Sequence, residues 1–376
     1  MNTLILEPYF VGSHAQWVHD YQKFSTHKVK ILSMKGQFWK WRMHGGAVTL
    51  ARLFHNSECQ PDVILATDML DLTTFLALTR DKTAHLPIAL YCHENQFAYP
   101  WSPQDRDVQH KRDKHYSFIN YVSALAADHV FFNSRYNMQT FMSGIESLLR
   151  HFPDYNELET LDQIAKKSSV LPVGLDLSAL QARALDSKDI REPVILWNHR
   201  WEHDKNPADF FKALEILNAK DLHFKLVLMG ENFSRIPKEF EEARRKFADQ
   251  ILHYGYVKNS NDYTDWLWRA NILPVTSMHD FFGVSVLEAI YCGAYPLLPK
   301  RLAYPELLPL DKYSSFYYEN FDELVAKLER VIREGLYKSK DAACAVQEFG
   351  WDILAPQYDA ALCRLAEAGL TRPPIH

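Results

Sequence analysis

Short, continuously apolar runs recur along this 376-residue chain in two series, and a longer amphipathic stretch follows most of them. The first series comprises TLILEPYF, VKILSM, DVILAT, IALYCHE, HVFFNS and SSVLPVG. Strands that are buried on both faces have this unalternated character, and strands that alternate with helices form parallel sheets. The pattern therefore predicts an α/β protein with a doubly wound parallel sheet and with helices between the strands, for example over 70–78 and 116–127.

A second series begins after a polar interval and comprises PVILW, FKLVLMG, ILHYGYV, NILPVTS and YPLLP. Because 376 residues exceed the usual size of one hydrophobic core, we predict two Rossmann-like domains, over residues 1–177 and 193–350. Residues 178–192 are predicted to form the linker, and residues 351–376 a C-terminal helix and tail. Domains of this kind bind ligands at the carboxyl ends of their strands, so the residues that follow each strand are the candidate site residues.

Composition excludes several classes of protein. Five cysteines without a CxxC pair argue against a disulfide framework or a structural zinc site, and they favour a reducing, cytoplasmic environment. The N-terminus MNTLILEPYF has no basic region and is interrupted by Glu7, so we interpret it as a first strand rather than a signal peptide. No run approaches the ~18 apolar residues of a membrane span. With a net charge of −5, contact with nucleic acid would require a local basic patch.

Polar residues follow two strands of the first series. Gly12, Ser13 and His14 come after the first strand, where a helix is expected to start at Ser13 or His14 and could cradle an anion. A simple helix cap is the alternative. His93 follows the fourth strand and could hydrogen-bond a sugar hydroxyl or a phosphate oxygen. Its neighbour Glu94 could accept a hydroxyl proton or orient His93, unless the two merely close the strand end.

The strand PVILW is followed by NHRWEHDKNP, in which Arg200 and Lys205 are five residues apart. A guanidinium can bind two phosphate oxygens, and a flexible ammonium can reach the next phosphate. Together they could neutralise a diphosphate leaving group without a metal. His199 and His203 are four residues apart, but they lie in a loop without an HExxH motif, so no metal site is predicted.

The segment DFFGVSVLEAIYCG follows the strand NILPVTS and opens a helix. Phe281, Phe282 and Gly283 are expected at the helix N-terminus, where backbone N–H groups and the helix dipole suit a diphosphate. Glu288 is expected about two turns further along, where its carboxylate could accept both hydroxyls of a ribose. Asp280 could hold a sugar hydroxyl. The alternative is that Asp280 caps the helix and Glu288 is a surface acid.

Two further stretches carry less specific signals. Tyr256 follows the strand HYG and could form a wall beside a nucleotide base. Basic residues are concentrated in KGQFWKWR over 35–42 and HKRDKH over 110–115, and the first stretch interleaves cations with aromatic rings. On composition alone both stretches fit a solvated surface, and an RNA-binding patch is the alternative.

These residues together resemble a known family. Arg200 with Lys205, Gly255 before an aromatic residue and the Asp280-x7-Glu288 pattern are similar to the donor site of retaining GT-B glycosyltransferases of the GT4 type. That family has Glu at both ends of the pattern, so Asp280 is one methylene shorter. More closely, GSH at 12–14, HENQFAYP at 93–100, HRWEHDKNP at 199–207 and the segment 281–309 are similar to the tRNA-queuosine α-mannosyltransferase family, over nearly the whole chain.

The resemblance implies a GT-B fold, in which two Rossmann-like domains face each other across a cleft. It implies a metal-independent hexosyltransferase that moves mannose from GDP-mannose to the cyclopentenediol of queuosine in the anticodon of tRNA(Asp). No cofactor is expected besides this nucleotide-sugar donor, no membrane partner is expected, and the oligomeric state stays open. The alternatives are a GT4 enzyme with a lipid or saccharide acceptor, and a catalytically silent protein that binds nucleotide sugar or tRNA.

The resemblance also assigns roles to individual residues. Donor binding is implied for Gly12, Ser13, His14, Tyr256, Val257, Asp280, Phe281, Phe282, Gly283 and Glu288. His93, Arg200 and Lys205 are implied to act on the donor sugar and its diphosphate. Because no protein nucleophile is evident, we favour front-face attack by the acceptor hydroxyl, with Glu94 as the reserve base or nucleophile.

A tRNA substrate gives both basic stretches a role. Trp39 or Trp41 could stack on a splayed anticodon base, and cations around them could contact phosphates without regard to sequence. The cations expected to do so are Lys35, Lys40, Arg42, Lys111, Arg112 and Lys114.

Overall fold

The structure is a computed structural model that describes residues 1–101, 107, 110, 114–184, 192–231, 236–337 and 339–370. The predicted RNA contacts Lys111 and Arg112 lie outside these residues. The chain forms two compact units, one made of residues 1–174 with the segment from Trp351 onward, and the other of Leu175–Gly350. The first boundary thus falls at 174 rather than at the predicted 177.

The N-terminal unit contains a six-stranded parallel sheet in the order β2-β1-β3-β4-β5-β6. Its central strands β3 and β4 are buried along their whole length, which explains their continuously apolar sequences. The strands are β1 (Asn2–Phe10), β2 (Lys28–Lys35), β3 (Val63–Thr67), β4 (Ile88–Cys92), β5 (His129–Phe132) and β6 (Ser168–Val170). The helices are α1 (Gly12–Phe24), α2 (Trp39–His55), α3 (Leu72–Thr83), α4 (Lys114–Ala126), α5 (Arg135–Leu149) and α6 (Thr160–Lys166).

The C-terminal unit contains a second six-stranded parallel sheet, in the order β12-β11-β10-β7-β8-β9. Its strands are β7 (Val194–Trp197), β8 (Lys225–Met229), β9 (Ile251–Gly255), β10 (Ile272–Pro274), β11 (Tyr295–Pro299) and β12 (Tyr317–Tyr318). Its helices are α7 (Leu177–Gln181), α8 (Pro207–Ala219), α9 (Lys238–Lys246), α10 (Ser260–Arg269), α11 (Val284–Tyr291), α12 (Tyr304–Leu307), α13 (Leu310–Tyr313), α14 (Phe321–Glu334) and α15 (Lys340–Ala345). The predicted fold class, with two doubly wound parallel sheets, is therefore confirmed.

One local prediction needs correction, and one strand was missed. The stretch predicted as a linker over 178–192 overlaps the helix α7, which Asp176 caps by accepting a hydrogen bond from the backbone N–H of Ala179. Strand β12 has only two residues and gave no recognisable apolar run in the sequence.

The last helix, α16 (Trp351–Leu370), belongs to the N-terminal unit, whereas the sequence suggested a separate terminal segment. It is held there by buried aromatic residues. Tyr358 receives a 3.1 Å hydrogen bond from the indole of Trp17, and its hydroxyl lies 2.8 Å from the hydroxyl of Tyr91. Gly174 lies against Trp351 so closely that a methyl group added there would be 2.3 Å from the ring.

Asp359 fixes α16 to the turn that follows α1. Its carboxylate accepts hydrogen bonds from the hydroxyl of Tyr21 at 2.9 Å, from the Ser25 hydroxyl at 2.6 Å and from the backbone N–H of Thr26 at 2.8 Å. Burial raises the pKa of Asp359, but these donors outweigh burial and hold the pKa below its usual value. The carboxylate is therefore a charged tether between two segments that are far apart in the sequence.

The described residues include no helix that is long and apolar enough to cross a membrane. None of the five cysteines, all of which lie in the described part of the chain, forms a disulfide.

Candidate functional site

In the N-terminal unit, α1 begins at Gly12, one residue earlier than predicted. Gly12 has a φ of 54°, a left-handed value that favours glycine, and both Gly12 and Ser13 are exposed. The capping residue is Val11, which makes no side-chain hydrogen bond to the helix. The interpretation of Ser13 as a simple cap is therefore wrong, and the first turn presents its backbone N–H groups at the end of β1.

His14 is bound to a buried acid that the sequence analysis did not select. Its Nδ1 lies 3.2 Å from Oε2 of Glu7, and Oε1 of Glu7 accepts a 2.8 Å hydrogen bond from the backbone N–H of Tyr9. Burial alone would lower the pKa of His14, but the charge and hydrogen bond of Glu7, with smaller contributions from Asp68 and Glu94, raise it to about 9. His14 is therefore an imidazolium at neutral pH.

His93 follows β4 and is held by its backbone. Its N–H donates to Oδ1 of Asp68 at 2.8 Å, and its carbonyl accepts from the Asn133 amide at 2.7 Å. The ring packs edge-on against Trp17 and lies 4.4 Å from the His14 ring, centroid to centroid. Burial and the charge of His14 hold the pKa of His93 well below its usual value. Among the described residues its buried Nε2 has no hydrogen-bond partner, so a neutral ring nitrogen is available to a ligand.

Glu94 does not orient His93, contrary to one of the two roles considered for it. Its Oε1 accepts a 3.0 Å hydrogen bond from the Gln96 side chain, and Asp68 fixes the His93 backbone instead. Asp68 is buried, and burial together with the charge of Glu94 raises its pKa well above the usual value. Both Asp68 and Glu7 were recognisable only as acids within or just after apolar runs.

One group of described residues in this unit could hold a metal ion. Glu7, His14 and His93 each offer a ligand atom, and these atoms lie within 4.8 Å of one another. A carboxylate and two imidazoles are a common ligand set for zinc and similar ions. The sequence analysis predicted no metal, and it did not consider this group.

In the C-terminal unit, Lys205 ends a short 3₁₀ turn and its side chain is only 9% exposed. Its Nζ donates a 2.7 Å hydrogen bond to the carbonyl of His279. It also lies 3.3 Å from Oδ2 of Asp204 and 3.4 Å from Oδ2 of Asp280. The ammonium is therefore fixed in position and already balanced by two carboxylates.

Arg200 differs from Lys205 in exposure. Its side chain is 49% exposed, and its Nη1 lies 3.3 Å from Oε2 of Glu202. The neighbouring His199 is buried, and its Nδ1 lies 3.2 Å from the hydroxyl of Ser285 in α11. Burial and the charge of Lys205 lower the pKa of His199 to about 4, so it is neutral at pH 7. His199 thus connects this loop to the first turn of α11.

The start of α11 lies later than the sequence suggested. The helix begins at Val284 after Gly283, which has a φ of 106°, so Phe281 and Phe282 precede it and are buried. Asp280 accepts a 3.1 Å hydrogen bond from the hydroxyl of Tyr304, in addition to its contact with Lys205. It does not cap the helix, because the capping residue is Gly283 and makes no side-chain bond.

Glu288 lies about one turn inside α11 and is half-buried, so it is not a fully solvated surface acid. Its Oε2 accepts a 2.7 Å hydrogen bond from the hydroxyl of Tyr263 in α10. Nothing in the sequence around Tyr263 pointed to this role. The bond orients the carboxylate.

Tyr256 and Val257 follow β9 and line an open cavity of about 380 Å³. Tyr256 is exposed, and the cavity is completed on the α10 side by Trp266 and Arg269, among other residues. The guanidinium of Arg269 lies 5.0 Å from the centre of the Trp266 ring. The place where a base was expected therefore has an aromatic lining with both cations and acids, since Asp262 and Asp265 also line it.

The basic and aromatic stretch at the start of α2 divides into half-buried and exposed residues. Trp39 is half-buried and packs against Tyr116 and other rings, so less of it is available for stacking than of Trp41. Lys40 pairs with Asp107 and lies over the Trp101 ring, which reduces its value as a phosphate contact.

Trp41 is 62% exposed and Phe38 is 77% exposed. Gly45 lies one turn after Trp41, and a methyl group there would be 2.5 Å from the Trp41 ring, so the ring lies flat along the helix. Lys35 and Lys114 are exposed, and Arg42 donates a hydrogen bond to the carbonyl of Lys35. Phe38 is an exposed ring that the sequence analysis did not select.

Two family models match the chain in succession. The model described as "tRNA-queuosine alpha-mannosyltransferase N-terminal" matches residues 2–175, and the model described as "Glycosyl transferases group 1" matches residues 182–345. The chain is also 33% identical over 368 residues to the tRNA-queuosine alpha-mannosyltransferase of Drosophila melanogaster, and the match covers 94% of each protein. A GDP-mannose-dependent alpha-(1-6)-phosphatidylinositol dimannoside mannosyltransferase of Mycobacterium tuberculosis is 24% identical over 218 residues, which is 55% of each protein.

Solved structures show the same fold at low identity. Sucrose-phosphate synthase from Thermosynechococcus elongatus superposes with a TM-score of 0.70 at 13% identity, over 98% of this chain and 100% of that one. A UDP-forming trehalose-phosphate synthase from Burkholderia xenovorans gives 0.66 at 15% identity, over 97% and 99%. These neighbours confirm the GT-B glycosyltransferase architecture of each sheet and its helices. With a relative that matches along nearly its whole length, the chain belongs to the tRNA-queuosine α-mannosyltransferase family.

Proposed function

We propose that the chain transfers mannose from GDP-mannose to the cyclopentenediol of queuosine in the anticodon of tRNA(Asp). The observation that carries this proposal is the match along 94% of the Drosophila enzyme, because it includes both the N-terminal unit and the nucleotide-sugar unit. The donor is supported by the mycobacterial relative, whose name describes it as GDP-mannose-dependent. Cysteines that form no disulfide among the described residues suit a reaction in the reducing cytoplasm.

The diphosphate of the donor would bind beside Arg200, Lys205 and the first turn of α11. Lys205 is held at fixed distances from its neighbours, so its charge needs no reorganisation when the leaving group becomes more negative. Half of the Arg200 side chain is exposed, so its guanidinium can turn toward a phosphate. These two cations support transfer without a metal.

The C1–O bond of mannose to the diphosphate would break as the acceptor hydroxyl attacks the same face of C1. The hydroxyl proton would pass to the departing phosphate oxygen, and the products would be GDP and mannosyl-queuosine. Neutral His93, whose Nε2 has no partner in the described part of the chain, would contact the donor sugar. The Glu94 carboxylate already accepts a hydrogen bond from the Gln96 side chain, and this arrangement does not favour Glu94 as the nucleophile.

Glu288, oriented by Tyr263, would accept the ribose hydroxyls, and the cavity beside Tyr256 and Val257 would receive the base. For the tRNA, Trp41 would stack on an unpaired base, with Lys35, Arg42 and Lys114 near phosphates. Trp39 and Lys40 would support this surface from within.

The experiment is a mass measurement on the modified nucleoside. The purified protein is incubated with GDP-mannose and queuosine-containing tRNA, with and without a chelator, and the RNA is digested. We expect a gain of one hexose on queuosine in both conditions, and none with tRNA that lacks queuosine. No gain with GDP-, UDP- and ADP-sugars would refute transfer, and binding of GDP-mannose or tRNA without turnover would then indicate a silent binding protein.

A further inference from the structure

Phe38 occupies a backbone conformation that disfavours its own side chain. It precedes α2 with φ 53° and ψ 57°, in the left-handed region, where a bulky residue is an outlier. Its carbonyl begins the helix by accepting hydrogen bonds from the backbone N–H groups of Trp41 at 2.8 Å and Arg42 at 3.1 Å. Such a capping position favours Asn, Asp, Ser or Thr, whose side chains bond to the helix, and a phenyl ring cannot do so. Local stability therefore does not explain why phenylalanine stands here.

A second helix of the chain begins in the same conformation with a residue that suits it. Asn206 precedes α8 with φ 52° and ψ 58°, and its side chain accepts a 3.4 Å hydrogen bond from the backbone N–H of Asp209. Asparagine also tolerates the left-handed region better than phenylalanine does. Phe38 has the same backbone geometry but exposes 77% of its surface, so its ring buries little in return for the strain.

The turn that carries Phe38 lies at the carboxyl end of the N-terminal sheet. Lys35 ends β2 and is paired with Phe10, the last residue of β1. Gly36 lies so close to Val11 that a methyl group added to Gly36 would be 2.2 Å from the Val11 side chain. The turn is therefore packed beside the start of α1, at the edge of a parallel sheet where ligands bind.

The surroundings of Phe38 combine aromatic rings with cations. Trp41 is three residues further along, is 62% exposed and has its ring against Gly45. Lys35 is exposed, and Nε of Arg42 donates a 3.0 Å hydrogen bond to the Lys35 carbonyl. In a chain with a net charge of −5, this local set of two rings and two cations complements an anionic partner that has flat, exposed bases.

We propose that Phe38 stacks on an unpaired base of the RNA acceptor, beside Trp41, and that its strained backbone is retained for this contact. The inference rests on the proposed function, in which the acceptor is a tRNA and Trp41 is the stacking ring. It adds a second ring and a cost in stability. Two rings on one helical turn can hold two bases of a splayed RNA loop.

The first test measures RNA binding by the full-length protein without donor. The probes are queuosine-containing tRNA(Asp) and a fully paired RNA duplex, which offers phosphates but no unpaired base. Phe38→Asn should raise the Kd for the tRNA about tenfold and leave the Kd for the duplex unchanged. Phe38→Leu, which is apolar but has no ring, should weaken tRNA binding nearly as much, and Phe38→Tyr should retain it.

The second test measures stability in the same variants. Asparagine suits the left-handed backbone and can cap α2, so Phe38→Asn should raise the urea midpoint of unfolding while it weakens tRNA binding. A residue that only supports the fold would instead lower the midpoint when replaced. Opposite changes in stability and affinity are thus the signature of a contact residue.

Tyr155→Asn is the matched control. Tyr155 is also in the N-terminal unit, has a φ of 44° and is 90% exposed, but the exposed residues near it in the chain include the acids Asp154, Glu157 and Glu159. Acids repel phosphates, so Tyr155→Asn should leave the Kd for tRNA unchanged. Its urea midpoint should rise as in Phe38→Asn, because the same backbone strain is relieved.

An unchanged Kd for tRNA in Phe38→Asn overturns the proposal, as does equal weakening of duplex binding or wild-type affinity in Phe38→Leu. If Phe38→Asn instead reduces self-association in sedimentation velocity and leaves the Kd unchanged, the rings form an interface between copies, and the proposal is wrong. Binding needs no turnover, so the result can be interpreted even if no hexose is transferred. Hexose transfer with an unchanged Kd in Phe38→Asn would refute this inference and leave the proposed function intact.

Discussion

Lys205 is expected to contribute to stability as well as to turnover, because its ammonium balances Asp204 and Asp280 at 3.3 and 3.4 Å. Two unit charges about 4 Å apart attract by about 4 kcal/mol at an effective dielectric constant of 20, before the cost of desolvation. Removing one partner of a buried pair costs about 3–5 kcal/mol, since the remaining charge is left uncompensated. Lys205→Met should therefore destabilise the C-terminal unit by about that amount.

A second substitution separates the two roles. Lys205→Met with Asp280→Asn removes one of the stranded charges, and we expect it to recover about 1–3 kcal/mol of the lost stability. Turnover should stay low in the double variant, because the cation for the leaving group is still missing. The assays are urea unfolding and the rate of mannosyl transfer under saturating donor.

Lys220→Met is the matched control. Lys220 pairs with Glu329 on the surface of the same unit, with 43% of its side chain exposed, and such pairs contribute about 0–1 kcal/mol. If Lys205→Met unfolds at the wild-type urea concentration, the reasoning from buried charges is refuted. If the double variant regains full turnover, Lys205 does not act on the leaving group.

Three further predictions concern the N-terminal unit. Asp359→Asn should raise the rate of amide hydrogen exchange in α16 roughly a hundredfold, because losing the charged hydrogen bonds of Asp359 costs about 3 kcal/mol. Asp352→Asn, at an exposed position of the same helix, should leave the rate unchanged. Equal exchange rates in the two variants would contradict the role of Asp359 as a tether. Trp41→Ala should weaken tRNA binding by about 1–3 kcal/mol without lowering the urea midpoint of unfolding, whereas Trp39→Ala should lower that midpoint. The reverse result would show that Trp39 stacks on the RNA and that Trp41 supports the fold. The raised pKa of His14 contributes about 3 kcal/mol to the free energy of unfolding, which is fully present below pH 6.5 and is lost as the pH rises from 6.5 to 9. Urea unfolding at several pH values should therefore show a midpoint that declines over this range.

The sequence was most informative about polar and charged residues that follow the end of a strand. Arg200 and Lys205 follow an apolar run. Because a continuously apolar run of this length predicts a buried strand, the position of both residues after a strand end was predictable. Period and composition could likewise predict every strand except β12, because strands buried on two faces leave a continuous apolar signal.

Contacts between distant segments could not be predicted in the same way. Glu7 interrupts an apolar run, but only the turn from β1 into α1 brings His14 back to it. From the sequence, Lys40 is a candidate phosphate contact. In the structure it pairs with Asp107, which lies 67 residues further along the chain. Trp39 and Trp41 are two residues apart in one motif, and the helix turns one ring inward and the other outward.

The return of α16 to the N-terminal unit has a consequence for how the protein is made. The indole of Trp17 can donate to Tyr358 only after 341 further residues have been synthesised, so the N-terminal unit lacks its last helix for most of translation. At about 5–20 residues per second this interval lasts tens of seconds. Residues 175–350 are continuous and can complete their own unit first. The unit whose synthesis begins first is therefore the one that finishes folding last, and until then the surfaces of α1, β3 and β4 that α16 contacts lack this cover.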